Sequence, residues 1–197
     1  MRIPLLSLPF AFLLWYFSFS TEIFSFWFRI SISTFFLFIF SFVSGSKRFK
    51  PRMVDTFYGL VSGLLLYLLF FSGYRLLSSS SSFLSNVTSV YYLGSGTPGL
   101  TIFILLLFPI SVGEEFYWRG TIQKELETIV GPYSVLAASS IYSFIHVFTL
   151  NLPLMFVAFV GGIVWGYLYR MTSNLYTSFL SHVIFNELIF VIFPFTR

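Results

Sequence analysis

Few residues in this chain can do chemistry, and their spacing is informative. Glu114 and Glu115 follow an uncharged run, Thr101 to Val112, and Arg119 comes four residues after Glu115. Two carboxylates and a guanidinium at the end of such a run are costly in lipid unless paired or facing water, which makes them a functional-site hypothesis. At about 100° per residue, Glu115 and Arg119 share a helical face and can pair, whereas Glu114 lies roughly 140° from Arg119. The reading is one structural carboxylate, Glu115, and one free carboxylate, Glu114. The only two histidines, His146 and His182, also fall in apolar stretches; Asn186 lies four residues after His182, and Tyr142 four before His146. Each pair shares a helical face.

Glu, His, His and Asn together suit hydrolysis. A carboxyl group in an apolar cavity has its neutral form favoured, which brings it towards the range useful to a general base. A His can hold the same water, and His and Asn donors can stabilise an oxyanion. His and carboxylate also ligate zinc, but the H-E-x-x-H pair of a zinc peptidase is absent and Asn is a poor zinc ligand. No metal or other cofactor is expected. No Ser-His-Asp set is apparent, and with no Cys a thiol nucleophile is excluded, as is a disulfide.

The elements that must position these residues are membrane helices. The chain is 57% hydrophobic, 23% aromatic and only 9% charged, with mean hydropathy +0.88, against about 25% charged for a soluble domain. The expected class is all-α, a polytopic bundle of about seven transmembrane helices. The spans are Ile3–Phe19, Ile23–Val43, Val54–Leu77, Leu100 to about Ile122, Tyr133–Leu150, Leu152–Arg170 and Leu175–Phe193. Residues 1–99 form an N-terminal set of helices and an outer loop without a motif, and 100–193 the motif-bearing core. The first twenty residues read as a retained helix rather than a cleaved signal peptide. Arg29, inside the second span, is expected to snorkel or to pair with Glu22. The Ser-rich, Gly-rich segment from Ser78 to Gly99 reads as an exposed flexible loop. Gly162 and Gly166 read as a small-xxx-small pair for close helix packing.

Basic residues set the orientation. Lys47, Arg48, Lys50 and Arg52 link spans two and three, and with Arg2, Lys124 and Arg170 they put seven on the cytoplasmic side, against Arg75 and Arg197 outside. The N-terminus is then cytoplasmic. With Glu114 roughly 12 Å from the cytoplasmic end of its helix, the cavity is expected to open to that side. His146 is nominally deeper, roughly 20 Å from Pro132. Membrane lipid and a membrane-anchored protein or peptide are the expected partners. Nucleic acid is not suggested by a +4 charge gathered at loop ends.

These motifs resemble a known family. Glu114, Glu115 and Arg119, followed by Gly120 to Gln123, are similar to the E-E-x-x-x-R-G-x-x-Q motif of the CPBP family, the CAAX-processing and bacteriocin-processing intramembrane endopeptidases. His146 matches the His of its F-x-x-x-H motif, with Tyr142 in place of the Phe; the swap keeps the ring. His182 and Asn186 match its H-x-x-x-N motif. The resemblance covers about Leu100 to Ile189. It implies Glu114 as the base on water, His146 as its helper, and His182 with Asn186 as the oxyanion pair. It implies structural support from Glu115 and Arg119. It also implies a glutamic rather than metalloendopeptidase mechanism, on a prenylated CAAX or bacteriocin-type substrate. The rival expectations are a non-catalytic scaffold or immunity protein of the same family, a small transporter using the polar residues as a relay, or a zinc hydrolase, which the residues favour less. No inverted repeat favours the transporter.

Overall fold

The structure, a computed structural model, describes residues 3–44 and 48–196. Among the described residues there is helix and no strand. A single helical turn, Ile3–Leu6, precedes α1 (Leu8–Ser20). Then come α2 (Phe26–Val43), α3 (Met53–Leu77), α4 (Ser81–Tyr92) and α5 (Gly99–Leu105). They are followed by α6 (Val112–Tyr117), α7 (Lys124–Val130), α8 (Ser134–Phe144), α9 (Leu152–Thr172) and α10 (Leu175–Glu187). Five stretches are long and apolar enough to span a bilayer, and Pro4–Ser20 is a shorter apolar helix. The polytopic all-α bundle is the architecture expected from composition.

The expected span from Leu100 to Ile122 is not one regular helix. Phe108 is extended (φ −149°, ψ 130°), because Pro109 has no N–H and disfavours helical backbone at the residue before it. Two wide turns flank α6, Leu106–Ser111 and Trp118–Gln123. The second has Thr121 Oγ1 bonded to the Phe116 carbonyl five residues back. Wide turns of this kind often mark functional sites. The helical run continues through a tight turn at Gly131–Tyr133 into α8, so 99–149 forms one 51-residue stretch.

The basic end is stapled by side-chain bonds. Asn174 caps α10 by accepting from the Tyr176 N–H, and donates Nδ2 to the Lys50 carbonyl (2.7 Å) and to Asp55 (2.6 Å). Arg52 binds the same carboxylate through two nitrogens, at 2.5 and 3.0 Å. Arg170 donates to the Pro132 carbonyl. Arg48, Lys124 and Arg170 border one cleft at this end, so the basic residues gather as the charge pattern predicts. Arg2, Lys47 and Arg197 lie outside the described residues.

Two sequence expectations are corrected. The segment read as a flexible loop contains α4. Ser80 caps its N-terminus, and Phe83, Val87, Val90 and Tyr91 recur at helical spacing to give it an apolar face. Arg29 is buried rather than snorkelling, and Glu22 acts on it through charge. Its Nε donates to the Ser18 carbonyl at 2.9 Å and its NH1 to the Phe24 carbonyl, tying α2 to the end of α1.

Bare glycines set the closest helix contacts. A Cβ on Gly113 would lie 2.4 Å from the Thr34 carbonyl oxygen, and one on Gly162 would lie 3.0 Å from Ser139 Cβ. Gly113→Ala should therefore push α6 off α2 and cost about 1–3 kcal/mol in detergent unfolding, as overpacking does. Gly73→Ala in α3, where a Cβ meets nothing within 4 Å, should be neutral or stabilising by up to about 1 kcal/mol. Equal effects of the two would contradict the packing described.

Candidate active site

The site is built outward from Glu115. Its Oε1 accepts from Arg119 NH1 at 2.9 Å and from His182 Nδ1 at 2.9 Å. The first is the i,i+4 pair read from the helical wheel; the second is a long-range bond the sequence did not reveal. Glu115 has no solvent exposure, and Arg119 and His182 are nearly as buried. The guanidinium also donates to the Gly162 carbonyl (3.4 Å) and lies over the rings of Tyr142 (4.9 Å) and Trp165 (5.2 Å). Trp165 stacks flat on the His182 imidazole, 3.8 Å between ring centres. Charge, carbonyl and ring contacts together offset the loss of water around the guanidinium.

Glu114 projects elsewhere, as its helical angle requires. Its Oε2 accepts from the Tyr142 hydroxyl at 2.5 Å and lies 3.9 Å from His182 Nε2. Since His182 Nδ1–H is given to Glu115, Nε2 is the nitrogen turned to Glu114. His146 donates Nδ1–H to the Tyr142 carbonyl at 2.8 Å, leaving Nε2 as an acceptor, with Trp15 Nε1 at 3.5 Å. Asn186 Nδ2 donates to Ser111 Oγ at 3.5 Å. Glu114, Tyr142, His146, His182 and Asn186 all border one cavity of about 230 Å³ whose remaining lining is largely apolar. The four sequence-predicted residues thus meet at one place. Carboxylate, two imidazoles and an amide at the head of an apolar cavity can bind a polar group, move a proton and hold developing negative charge.

Some participants were not foreseen. Trp15 sits on α1, in a span with no motif, so nothing pointed to it; its burial, with that of Ala11 and Ser18, packs α1 into the core. Trp165 is one of four tryptophans, and helical spacing alone did not single it out. Tyr142 was read as a ring substituting for a ring, but its hydroxyl is the group that bonds Glu114. Among the described residues, no three His, Asp or Glu side chains come together as metal ligands. Each histidine has Nδ1 engaged, His146 with the Tyr142 carbonyl and His182 with Glu115, which leaves both Nε2 atoms free of those partners.

The cavity lies in the half of the bundle away from the basic link. It is bordered by the end of α1 (Phe19), the start of α2 (Trp27), the end of α3 (Tyr74), the start of α9 (Leu154), the end of α10 (Ile189) and α4. Each of those helix ends is opposite the basic end. A helical count from Glu114 cannot show on which side of it the free volume lies. The greater depth of His146 is accounted for in the same way, since the cavity occupies the half of the bundle that α8 runs into.

Removing the Tyr142 hydroxyl tests the geometry. Tyr142→Phe should cost about 1–3 kcal/mol in detergent unfolding, the range for a buried bond to a carboxyl group. A double-mutant cycle with Glu114→Gln should show the two changes to be coupled; strict additivity would contradict a direct bond.

Residues 96–188, a little under half the chain, match the family model described as "Type II CAAX prenyl endopeptidase Rce1-like". No curated protein and no solved structure matches the chain. The matched segment runs from just before α5 to the end of α10 and contains every residue of the site except Trp15. Residues 96–188 of this multi-pass membrane protein are therefore similar to the type II CAAX prenyl endopeptidase Rce1-like family, a protease family, in line with the resemblance to the CPBP endopeptidases.

Proposed function

We propose that the chain is an intramembrane endopeptidase that hydrolyses a peptide bond in a membrane-associated substrate, with Glu114 as the base on water. The observation that carries the proposal is the position of Glu114. It is the one carboxyl of the site not committed to Arg119, and it heads an apolar cavity shared with both histidines and Asn186.

Glu114 takes a proton from water as the water oxygen bonds to the scissile carbonyl carbon. The carbonyl π pair moves onto oxygen and a tetrahedral intermediate forms. His182 Nε2, when protonated, and Asn186 Nδ2 are the donors facing that oxyanion. The Glu115 bond at Nδ1 fixes the ring with Nε2 towards Glu114, much as an acid orients a catalytic histidine. His146 Nε2 is an acceptor that orients the water. When the intermediate collapses, the C–N bond breaks and Glu114 passes its proton to the leaving amine. Tyr142 steadies the carboxyl, and the Glu115–Arg119 pair steadies His182. No step needs a metal. The family description supports peptide substrates with a C-terminal CAAX sequence; a lipid tail suits the apolar cavity.

Glu114→Gln should lower cleavage of lipidated CAAX peptides in detergent by about 10²–10⁴-fold, the usual weight of general-base catalysis, and leave the fold intact by circular dichroism. Activity of the intact protein should survive exhaustive chelation. Undiminished cleavage by Glu114→Gln would exclude the mechanism, and loss in chelator restored by zinc would replace it with a metal-dependent one.

A further inference from the structure

Three cations from three separate elements gather at the basic end of the bundle. Arg48 lies in the link before α3, Lys124 opens α7 and Arg170 lies in the last turn of α9. All three are exposed, and all border one cleft of about 520 Å³. The rule that orients a membrane chain asks only that basic residues lie on one side of the bilayer. It does not require residues so far apart in sequence to share a cleft.

The backbone that carries these cations is held in place. The Arg48 carbonyl accepts from the Leu175 N–H at 2.9 Å, and Arg170 NH1 donates to the Pro132 carbonyl at 2.9 Å. Gln123, buried beside Lys124, donates Nε2 to the Gly166 carbonyl at 3.0 Å. The Lys124 ammonium and the Ser173 hydroxyl, which also borders the cleft, have no side-chain partner among the described residues. Glu127 is the one carboxylate in the lining, against three cations. Next to the cleft the surface turns apolar. Ile129, Val130, Tyr133 and Leu136 flank the Pro132 carbonyl that holds Arg170, and all four are exposed.

We propose that this cleft binds the phosphate of an anionic phospholipid, with the acyl chains lying over Ile129, Tyr133 and Leu136. Guanidinium groups suit a phosphate because they can donate two parallel bonds to it, and basic pockets between membrane helices are a known setting for lipid headgroups. The apolar margin is what selects a lipid over a soluble phosphate, which would have no use for it. Glu127 opposes the phosphate and limits its affinity. The cleft shares no lining residue with the cavity at Glu114, so the site does not depend on the hydrolase reading.

The test is native mass spectrometry of the delipidated full chain in neutral detergent, titrated with dioleoyl phosphatidylglycerol or dioleoyl phosphatidylcholine. The anionic lipid should be preferred by more than roughly tenfold, and Lys124→Gln or Arg48→Gln should each weaken it by about fivefold, the usual weight of one cation near an anionic lipid surface. Equal binding of the two lipids overturns the proposal. Arg75→Gln makes the same charge change in the last turn of α3, away from the cleft, and should leave binding unchanged; an equal loss there would mean diffuse attraction and overturn the site. Glu127→Gln should tighten binding by up to about fivefold, a gain that damage to the fold does not produce; weaker binding overturns the placing of the phosphate. Millimolar inorganic phosphate should not displace the lipid. Displacement would assign the cleft to a soluble phosphate and overturn the lipid.

Discussion

The cost of keeping ionised groups in a medium where water cannot reach them governs this molecule. Glu115, Arg119 and His182 are buried within the span of the bundle, where an unpaired charge is not tolerated. They meet that cost by bonding to one another and to the Gly162 carbonyl. Three separate stretches of chain, α6 with its following turn, α9 and α10, must come together for that to happen. The packing around them serves the same end. Gly162 lets α8 and α9 close up while leaving its carbonyl within reach of the guanidinium, and Trp165 covers the imidazole. Glu114 stands apart from this arrangement. Its chain neighbour is neutralised by a cation, so it is left as the carboxyl that is free to take part in chemistry.

The two ends of the bundle are built to different standards of rigidity. At the basic end, one asparagine and one aspartate tie the link between α2 and α3 to the turn between α9 and α10. At the other end the cover is an amphipathic helix between Ser-rich and Gly-rich segments, held by a handful of hydrogen bonds. Local opening concentrates where backbone is exposed and buried contacts are few.

Much of the site was legible in the sequence because its elements obey helical geometry. The division of labour between Glu114 and Glu115 follows from 100° per residue alone. The placing of His182 with Asn186 on one face is the same argument. What the sequence could not supply were contacts between elements far apart in the chain, since periodicity describes one helix at a time. The bond from His182 to Glu115 spans 67 residues and the approach of Trp15 to His146 spans 131. Counting residues likewise gives depth along an axis but not where volume is left between axes. Reading Ser78 to Gly99 as a loop gave too much weight to its serines and too little to the four apolar residues at helical spacing within it.

The central claim is that Glu114, His182 and Asn186 surround the carbon at which a peptide bond is broken. The most direct measurement is an experimental structure of the protein with a peptide phosphonate, whose tetrahedral phosphorus stands in for the hydrated carbonyl carbon. The account predicts one phosphonate oxygen within hydrogen-bond distance of the Glu114 carboxyl and another between His182 Nε2 and Asn186 Nδ2, with the apolar part of the peptide running towards α4. A phosphonate bound in the cleft beside Arg48, Lys124 and Arg170, with Glu114 untouched, would contradict it.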